Sequence, residues 1–500
     1  MPLFKPPISP NVLTSLRQYL LKWLPEQRWY SSKALEIADV TISDYSEFTS
    51  SPHTILALVR VAFVSKKSQV YFVSLKIGPG SAGSSRDKLR REPADFSREP
   101  LYWAELLQAM LSSKVLKSLN GNIEFRTFDN LGIIEQNHKH VVSVLAQEQS
   151  NSAAIVDNLY FLKHYRRPES GRNPDIEVPL FLRSHTPFKD TPKPLGEMSY
   201  TARDGRFYLL ATAFEFVANS GSCWEFMLEK LRKNFAKPSS CPAGEGVGGQ
   251  ADKEPLALAK LLGSLTKRMH TALGMVTDYK DFSPELVTQS DLSAWAERCS
   301  KTREAALAFL RGTSSKSSKL SGAELNLLSE RLKASAGPET NFRDLAIDQF
   351  SKIRIHGDYH LGQVLLTPGG LTVIDFEGEP ARSLQERRAK QCALVDVAGM
   401  VRSLDYACSL AFSGKSEIER THRATVRATL RKAFIESYLS SGPEDGIDIS
   451  FLPKNREKFD TILSLFEFEK ALYELSYELN NRPDWTWIPA EYLLEVTSAH

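Results

Sequence analysis

The feature that most constrains this chain is His356-Gly357-Asp358-Tyr359-His360-Leu361-Gly362-Gln363, followed by Asp375-Phe376-Glu377. Between them lie Val364-Leu365-Leu366, then Thr367-Pro368-Gly369-Gly370, then Leu371-Thr372-Val373-Ile374. Two short apolar, β-prone runs around a Pro-Gly-Gly turn predict a β-hairpin. A hairpin brings its two ends together, so Gln363 at its start and Asp375 at its end meet, with Asp358 in the loop before them. Phosphoryl transfer needs that set. One carboxylate accepts a hydroxyl proton, while a carboxamide and a second carboxylate hold a divalent metal against phosphates. Asp358 is therefore the expected catalytic residue, and Gln363 and Asp375 are the expected magnesium ligands. His356 is expected to brace the loop through hydrogen bonds.

Composition narrows the surroundings of this centre. The 500 residues suggest two to four structural units, and the net charge of +3 comes from mixed signs rather than a basic tract. No nucleic-acid surface is predicted. Five cysteines, scattered and without a CxxC pair, imply neither a disulfide frame nor a structural zinc site. The opening Met1-Pro2-Leu3-Phe4-Lys5-Pro6-Pro7 does not read as a signal peptide, and no apolar run is long enough to span a membrane. A cytoplasmic protein is expected.

Along the chain, residues 11–24 carry leucines at helical spacing. Alternating runs at Val40-Thr41-Ile42, 54–59 and 70–75 predict a small sheet. Residues 78–95 are expected to be a surface loop and 97–119 a helix. Strands are then predicted at Gly132 to Glu135, Val141 to Ala146, Ala153 to Val156 and Leu159 to Lys163, with a turn at Glu148 to Ser152. A helix around 174–184 and a last strand from Phe207 to Phe216 complete a five-stranded lobe. From residue 221 onward the pattern is helical, with loops at 236–252 and 312–322. The expected class is α+β: a bilobal, protein-kinase-like fold with an extra N-terminal cap (1–110), a β-rich nucleotide lobe (111–218) and a mostly helical lobe (219–500).

The order of elements assigns the nucleotide side. A lysine on a strand holds phosphates, and an acidic residue on a helix orients it. Lys163 ends a predicted strand, and Glu177 follows the helix-start signal Asn173-Pro174-Asp175. There is no GxGxxG, so Ser150, Asn151 and Ser152 in the preceding turn are expected to cover the phosphates. Glu215 and Val217, after the last strand, are expected to meet adenine through their main chain. ATP and Mg2+ are the expected cofactors.

These residues resemble phosphotransferases of the aminoglycoside-kinase and eukaryotic-like kinase fold, and more closely the maltokinase family. The resemblance is carried by Leu24-Pro25-Glu26-Gln27-Arg28-Trp29-Tyr30, by Leu162-Lys163-His164-Tyr165-Arg166-Arg167, by Ile374-Asp375-Phe376-Glu377-Gly378-Glu379-Pro380, by 396–406 and by Glu469-Lys470-Ala471-Leu472-Tyr473-Glu474 through Trp485. It extends from residue 24 to 487. The family's early Gly-Gly-Lys is Ser31-Ser32-Lys33 here, and the loops at 236–252 and 312–322 are particular to this chain. The resemblance implies ATP-dependent formation of maltose 1-phosphate, which feeds α-glucan and glycogen synthesis from trehalose. It also implies association with trehalose synthase through the cap.

Aromatic faces with carboxylates, amides and arginine suit a sugar. Tyr473, Glu474, Tyr477 and Glu478 fall on one helix, with Asn481 and Trp485 at its end. His360, Arg402 and Asp405 complete the expected substrate contacts, although Arg402 and Asp405 could equally form an internal ion pair. Glu474 and Glu478 could also bind ammonium groups, which leaves an amino-sugar kinase, for glucosamine or an aminoglycoside, as the alternative. A catalytically silent docking module is the remaining reading.

Overall fold

The computed structural model describes residues 8–30, 32–33, 35–50, 53–77, 93–128, 139–145, 151–235, 253–312, 320–334, 337–342, 349–414, 416–440 and 451–498. Its chain divides into two compact units. The first is Met1–Phe181 with Pro192–Val217, and the second is Leu182–Thr191 with Ala218–His500.

The first unit begins with helix α1 (Pro10–Glu26) and an antiparallel sheet of β1 (Ile37–Ser50), β2 (His53–Phe63), β3 (Gln69–Lys76) and β4 (Ala94–Asp95). Val12, Leu16, Leu20 and Leu24 recur every four residues, so α1 presents one apolar stripe to the sheet. Strand alternation sends Ile55, Ala57, Val59 and Val61 of β2 toward α1, while Leu56 and Leu58 face the other way. On that second face lies α2 (Pro100–Leu111), shorter than the helix expected over 97–119. Its Tyr102, Trp103, Leu106 and Met110 are buried in a core shared with the next sheet.

That sheet has seven strands, not five. It comprises β5 (Val115–Lys117), β6 (Gly121–Thr127), β7 (Val142–Val144), β8 (Asn151–Val156), β9 (Tyr160–Tyr165), β10 (Pro194–Ala202) and β11 (Phe207–Glu215), in the order β5-β6-β10-β11-β9-β8-β7. The sequence reading missed β10 because its first seven residues are all buried and carry no alternation. The strand expected at Gly132 to Glu135 lies outside the described residues. Helix α3 (Pro174–His185) packs Ile176 and Leu180 with Tyr165, Leu209 and Phe214.

The second unit holds α4 (Cys223–Phe235), α5 (Lys253–Leu273), β12 (Glu285–Leu286), α6 (Gln289–Gly312), α7 (Gly322–Ala334), α8 (Pro338–Phe342) and β13 (Ser351–Lys352). The expected hairpin follows as β14 (Val364–Thr367) and β15 (Gly370–Val373), paired from Val364↔Val373 to Thr367↔Gly370. Helices α9 (Leu384–Arg388), α10 (Leu394–Ala411), α11 (Glu417–Leu439), α12 (Arg456–Asn481) and α13 (Trp487–Ser498) complete it. Among the described residues no helix is long and apolar enough to cross a membrane.

Strand β9 ties the cap to the sheet. Arg166, just past its end, has no exposed side-chain surface and bonds Asp95 Oδ2 at 2.8 Å and Ser152 Oγ at 2.9 Å. An ion pair this deep is costly to break from one side, because the surviving charge stays buried. Arg166→Met should therefore lower the unfolding free energy by about 3–5 kcal/mol. Chemical denaturation followed by tryptophan fluorescence checks this, and an unchanged midpoint contradicts it.

Candidate active site

In the second unit the loop that carries Asp358 is built on one buried carboxylate. Asp396, in the first turn of α10, accepts the backbone N–H groups of His356 and Gly357, both at 2.8 Å. Burial works against its charge, but a hydrogen bond and charge attraction from His270 outweigh it and hold its carboxyl below the usual range. His356 braces the loop from within. Its Nε2 donates to the Ile374 carbonyl at 2.9 Å, and its Nδ1 accepts from Asp358 N at 3.3 Å. Tyr359 is buried, and its carbonyl oxygen would lie 2.6 Å from a methyl at Gly399, so α10 reaches the loop only because that residue is glycine.

The hairpin brings its ends together as its sequence requires. Gln363 Nε2 lies 3.0 Å from Asp375 Oδ2. Asp375 adopts φ +65°, a left-handed conformation costly for a residue with a Cβ. A carboxylate oxygen of Glu377 lies within 4.8 Å of one of Asp375's. Carboxylate and amide oxygens are hard donors suited to magnesium, and a flip of the Gln363 amide turns its oxygen toward the same point. Glu377 was not among the expected ligands. His360 caps the short helical turn before β14, its Nδ1 accepting Gly362 N at 3.0 Å. Burial above all pushes its imidazole below the ordinary value, so it is neutral at pH 7.

The residue that sequence reasoning missed is Lys470 on α12. Its Nζ lies 3.5 Å from Asp358 Oδ1 and 3.5 Å from Glu379 Oε1, and 5.0 Å from the centre of the Tyr473 ring. Burial disfavours its charge, but Glu379 and Asp358 hold it protonated. The signal was available as the Glu469-Lys470 pair, with Lys470 three residues before Tyr473, but nothing local ties it to Asp358.

The expected sugar contacts divide. Tyr473 and Tyr477 stack with ring centres 6.3 Å apart, and Tyr477 is 42% exposed. Arg402 and Asp405 are buried and form the internal ion pair, Nη1 to Oδ2 at 3.0 Å. Arg402 also grips Glu474 Oε2 at 2.7 and 3.0 Å. Glu478 is buried and bonds Arg482 at 2.7 and 2.9 Å. Asn481 is exposed and bonds back to the Tyr477 carbonyl, while Trp485 lies under Arg482, 4.3 Å from the ring centre.

On the nucleotide side, all in the first unit, Lys163 Nζ pairs with Asp175 Oδ2 at 2.9 Å, a partner not expected from sequence. Tyr165, two residues on and therefore on the same face of β9, donates to the same oxygen at 2.5 Å. Glu177 follows half-buried in the same turn of α3. His164, on the opposite face, bonds Tyr102 OH at 2.7 Å and is kept neutral chiefly by burial. Asn151 and Ser152 belong to β8 rather than to a turn. Ser152 is buried with its hydroxyl accepting from Arg166, so it is a structural acceptor and not a phosphate cover. Ser150 lies outside the described residues. Glu215 is exposed and Val217 half-buried beyond β11.

Residues 23–89 match the maltokinase N-terminal cap domain, and residues 240–378 match the phosphotransferase enzyme family. A glucosamine kinase from Streptacidiphilus jiangxiensis is 25% identical over 302 residues, 60% of this chain and 60% of that protein. One from Mycolicibacterium smegmatis is 23% identical over 343 residues, 68% of this chain and 76% of that protein. A solved structure of glucosamine kinase in complex with glucosamine, ADP and inorganic phosphate aligns with TM-score 0.64 and 19% identity, covering 96% of this chain and 98% of that one. The fold is kinase-like, sheet-rich in its first part and helical in its second.

Asp405 yields a test of the buried network. Among the described residues no donor reaches its buried Oδ1. Burial pushes its carboxyl up to about 6, with Arg402 only partly offsetting this. The folded state then holds a proton that the unfolded chain has already lost, so this group's contribution to stability falls as pH rises from its ordinary value toward 6. Asp405→Asn should flatten that part of the stability–pH profile, measured by denaturation between pH 4 and pH 7. An unaltered slope contradicts the assignment.

Proposed function

We propose that this protein is an ATP- and Mg2+-dependent sugar kinase acting on a neutral sugar, with the anomeric hydroxyl of maltose as acceptor and maltose 1-phosphate as product. The acceptor hydroxyl attacks the γ-phosphorus, the bond to the departing ADP oxygen breaks, and Asp358 takes the hydroxyl proton. Lys163, oriented by Asp175 and Glu177, compensates phosphate charge. Gln363 and Asp375, with Glu377, would hold magnesium, which supplies charge neutralisation at the phosphates when bound. Asn151 and the main chain of Glu215 and Val217 remain the proposed nucleotide contacts.

The observation that carries the choice of a neutral acceptor is Lys470 beside Asp358. A second cation about 4 Å from a protonated lysine costs on the order of 4 kcal/mol at an effective dielectric of about 20. One sugar hydrogen bond returns about 1 kcal/mol. The acids that could have met an ammonium group, Glu474 and Glu478, are already engaged by Arg402 and Arg482. Tyr473, Tyr477 and Trp485 supply faces suited to pyranose rings, and His360 a neutral hydrogen-bonding group. The glucosamine reading is favoured instead by the names of the relatives. The maltokinase-type cap extends the proposal to association with trehalose synthase and supply of α-glucan synthesis in the cytoplasm.

Asp358→Asn should keep nucleotide binding and lose about 10²–10⁴-fold in turnover, measured by ADP release alongside ADP titration. Undiminished turnover contradicts the role. Lys470→Glu should lower kcat/KM for maltose and raise it for glucosamine, shifting their ratio by about tenfold or more. A ratio that stays put rejects the electrostatic basis of acceptor choice.

A further inference from the structure

Strands β9 and β11 pair with Lys163 opposite Thr212, so the two side chains stand on one face of the sheet. Tyr165 shares that face and packs its ring with Ile176 of α3, Leu209 and Phe214. Asp175 lies in the first turn of α3, where Asn173 accepts its backbone N–H at 3.0 Å. Its Oδ2 receives Lys163 Nζ at 2.9 Å and the Tyr165 hydroxyl at 2.5 Å. Behind the phenol, Thr212 Oγ1 lies 3.2 Å away. Tyr165, Asp175 and Thr212 are all buried, while the Lys163 side chain keeps 13% of its surface exposed.

The proton directions follow from the groups. An ammonium only donates, so Lys163 gives one of its three protons to Oδ2. The phenol has a single proton, and the short contact to a carboxylate takes it. The phenol oxygen is then an acceptor, so Thr212 donates to it. A phenylalanine would fill the same space with no hydroxyl to desolvate, so packing alone does not account for the tyrosine. With the phenol removed, Oδ2 would draw a second proton from the lysine, because an under-bonded buried acceptor is costly. Those protons are the ones that phosphate oxygens need.

We propose that Tyr165, with Thr212 behind it, is a positioning residue for Lys163. It holds Asp175 with a proton of its own, so the lysine gives that carboxylate one proton and turns the rest to the nucleotide phosphates. Tyr165 is buried beneath α3 and acts only through Asp175. The proposal rests on the reading of Lys163 as the phosphate-binding lysine.

The experiment is a double-mutant cycle on ADP affinity, measured by calorimetry with Mg2+ in the full-length protein, with thermal midpoints recorded alongside. Tyr165→Phe should weaken ADP binding by about tenfold or more, the effect of losing a hydrogen bond to a charged group. Asp175→Asn should weaken it as well, and adding Tyr165→Phe to that variant should change affinity by less than about twofold. Additive losses mean that the ring acts by packing rather than through Asp175, and they overturn the proposal. Wild-type ADP affinity in Tyr165→Phe overturns it too.

Thr212→Val keeps the tyrosine and nearly the same volume, so it serves where Tyr165→Phe fails to fold. It should weaken ADP binding by about two- to fivefold, and undiminished affinity contradicts the chain of donors. ADP binding needs no acceptor sugar. If wild type transfers phosphate to no sugar, the proposed activity fails while the cycle still decides the role of Tyr165. If wild type binds no ADP, the reading of Lys163 fails and this proposal with it.

Discussion

The loop that carries Asp358 depends on a single buried carboxylate. Asp396 sits at the start of α10 and ties down two consecutive backbone N–H groups of a loop some forty residues earlier in the chain. Hydrogen bonds to a charged acceptor are each worth about 1.5–3 kcal/mol, and an unpaired buried charge is far more costly than that. The loop and the helix therefore hold each other. His356 then links the loop to Ile374 at the end of the hairpin, so the position of Asp358 and that of Asp375 derive from one hydrogen-bonded frame. The left-handed backbone at Asp375 persists because this frame over-determines it.

Charge is arranged in chains on α12. Arg382 bonds Glu379, Glu379 faces Lys470, and Lys470 faces Asp358. One turn further on, Arg402 takes up Glu474, and beyond that Arg482 takes up Glu478. The helix thus offers Tyr473 and Tyr477 as faces while its carboxylates are already paired. That pattern favours hydroxyl-bearing acceptors over cationic ones, and it is the physical basis for weighing maltose above glucosamine despite the names of the relatives.

What could be read from sequence was what is local. The hairpin needed only its own residues and its Pro-Gly-Gly turn, and its ends bring Gln363 and Asp375 within hydrogen-bond distance. The kinase-like order of sheet and helices followed from alternation giving way to helical spacing. Alternation failed at β10, where burial on both faces erases it. Partners set by packing were also hidden. Asp175 reaches Lys163 because α3 lies over β9, and Lys470 reaches Asp358 because α12 passes the loop. Arg402 and Asp405 looked like pocket residues because their polarity was visible and their burial was not. Ser152 was placed in a turn because small polar residues signal turns, but Arg166 claims its hydroxyl inside the sheet.

The most direct measurement of the central claim is phosphorus NMR of the product formed from ATP and Mg2+ with maltose or glucosamine as acceptor. The account predicts a phosphate resonance split by the anomeric proton of maltose and little product from glucosamine. Phosphorylated glucosamine with maltose inert would contradict it.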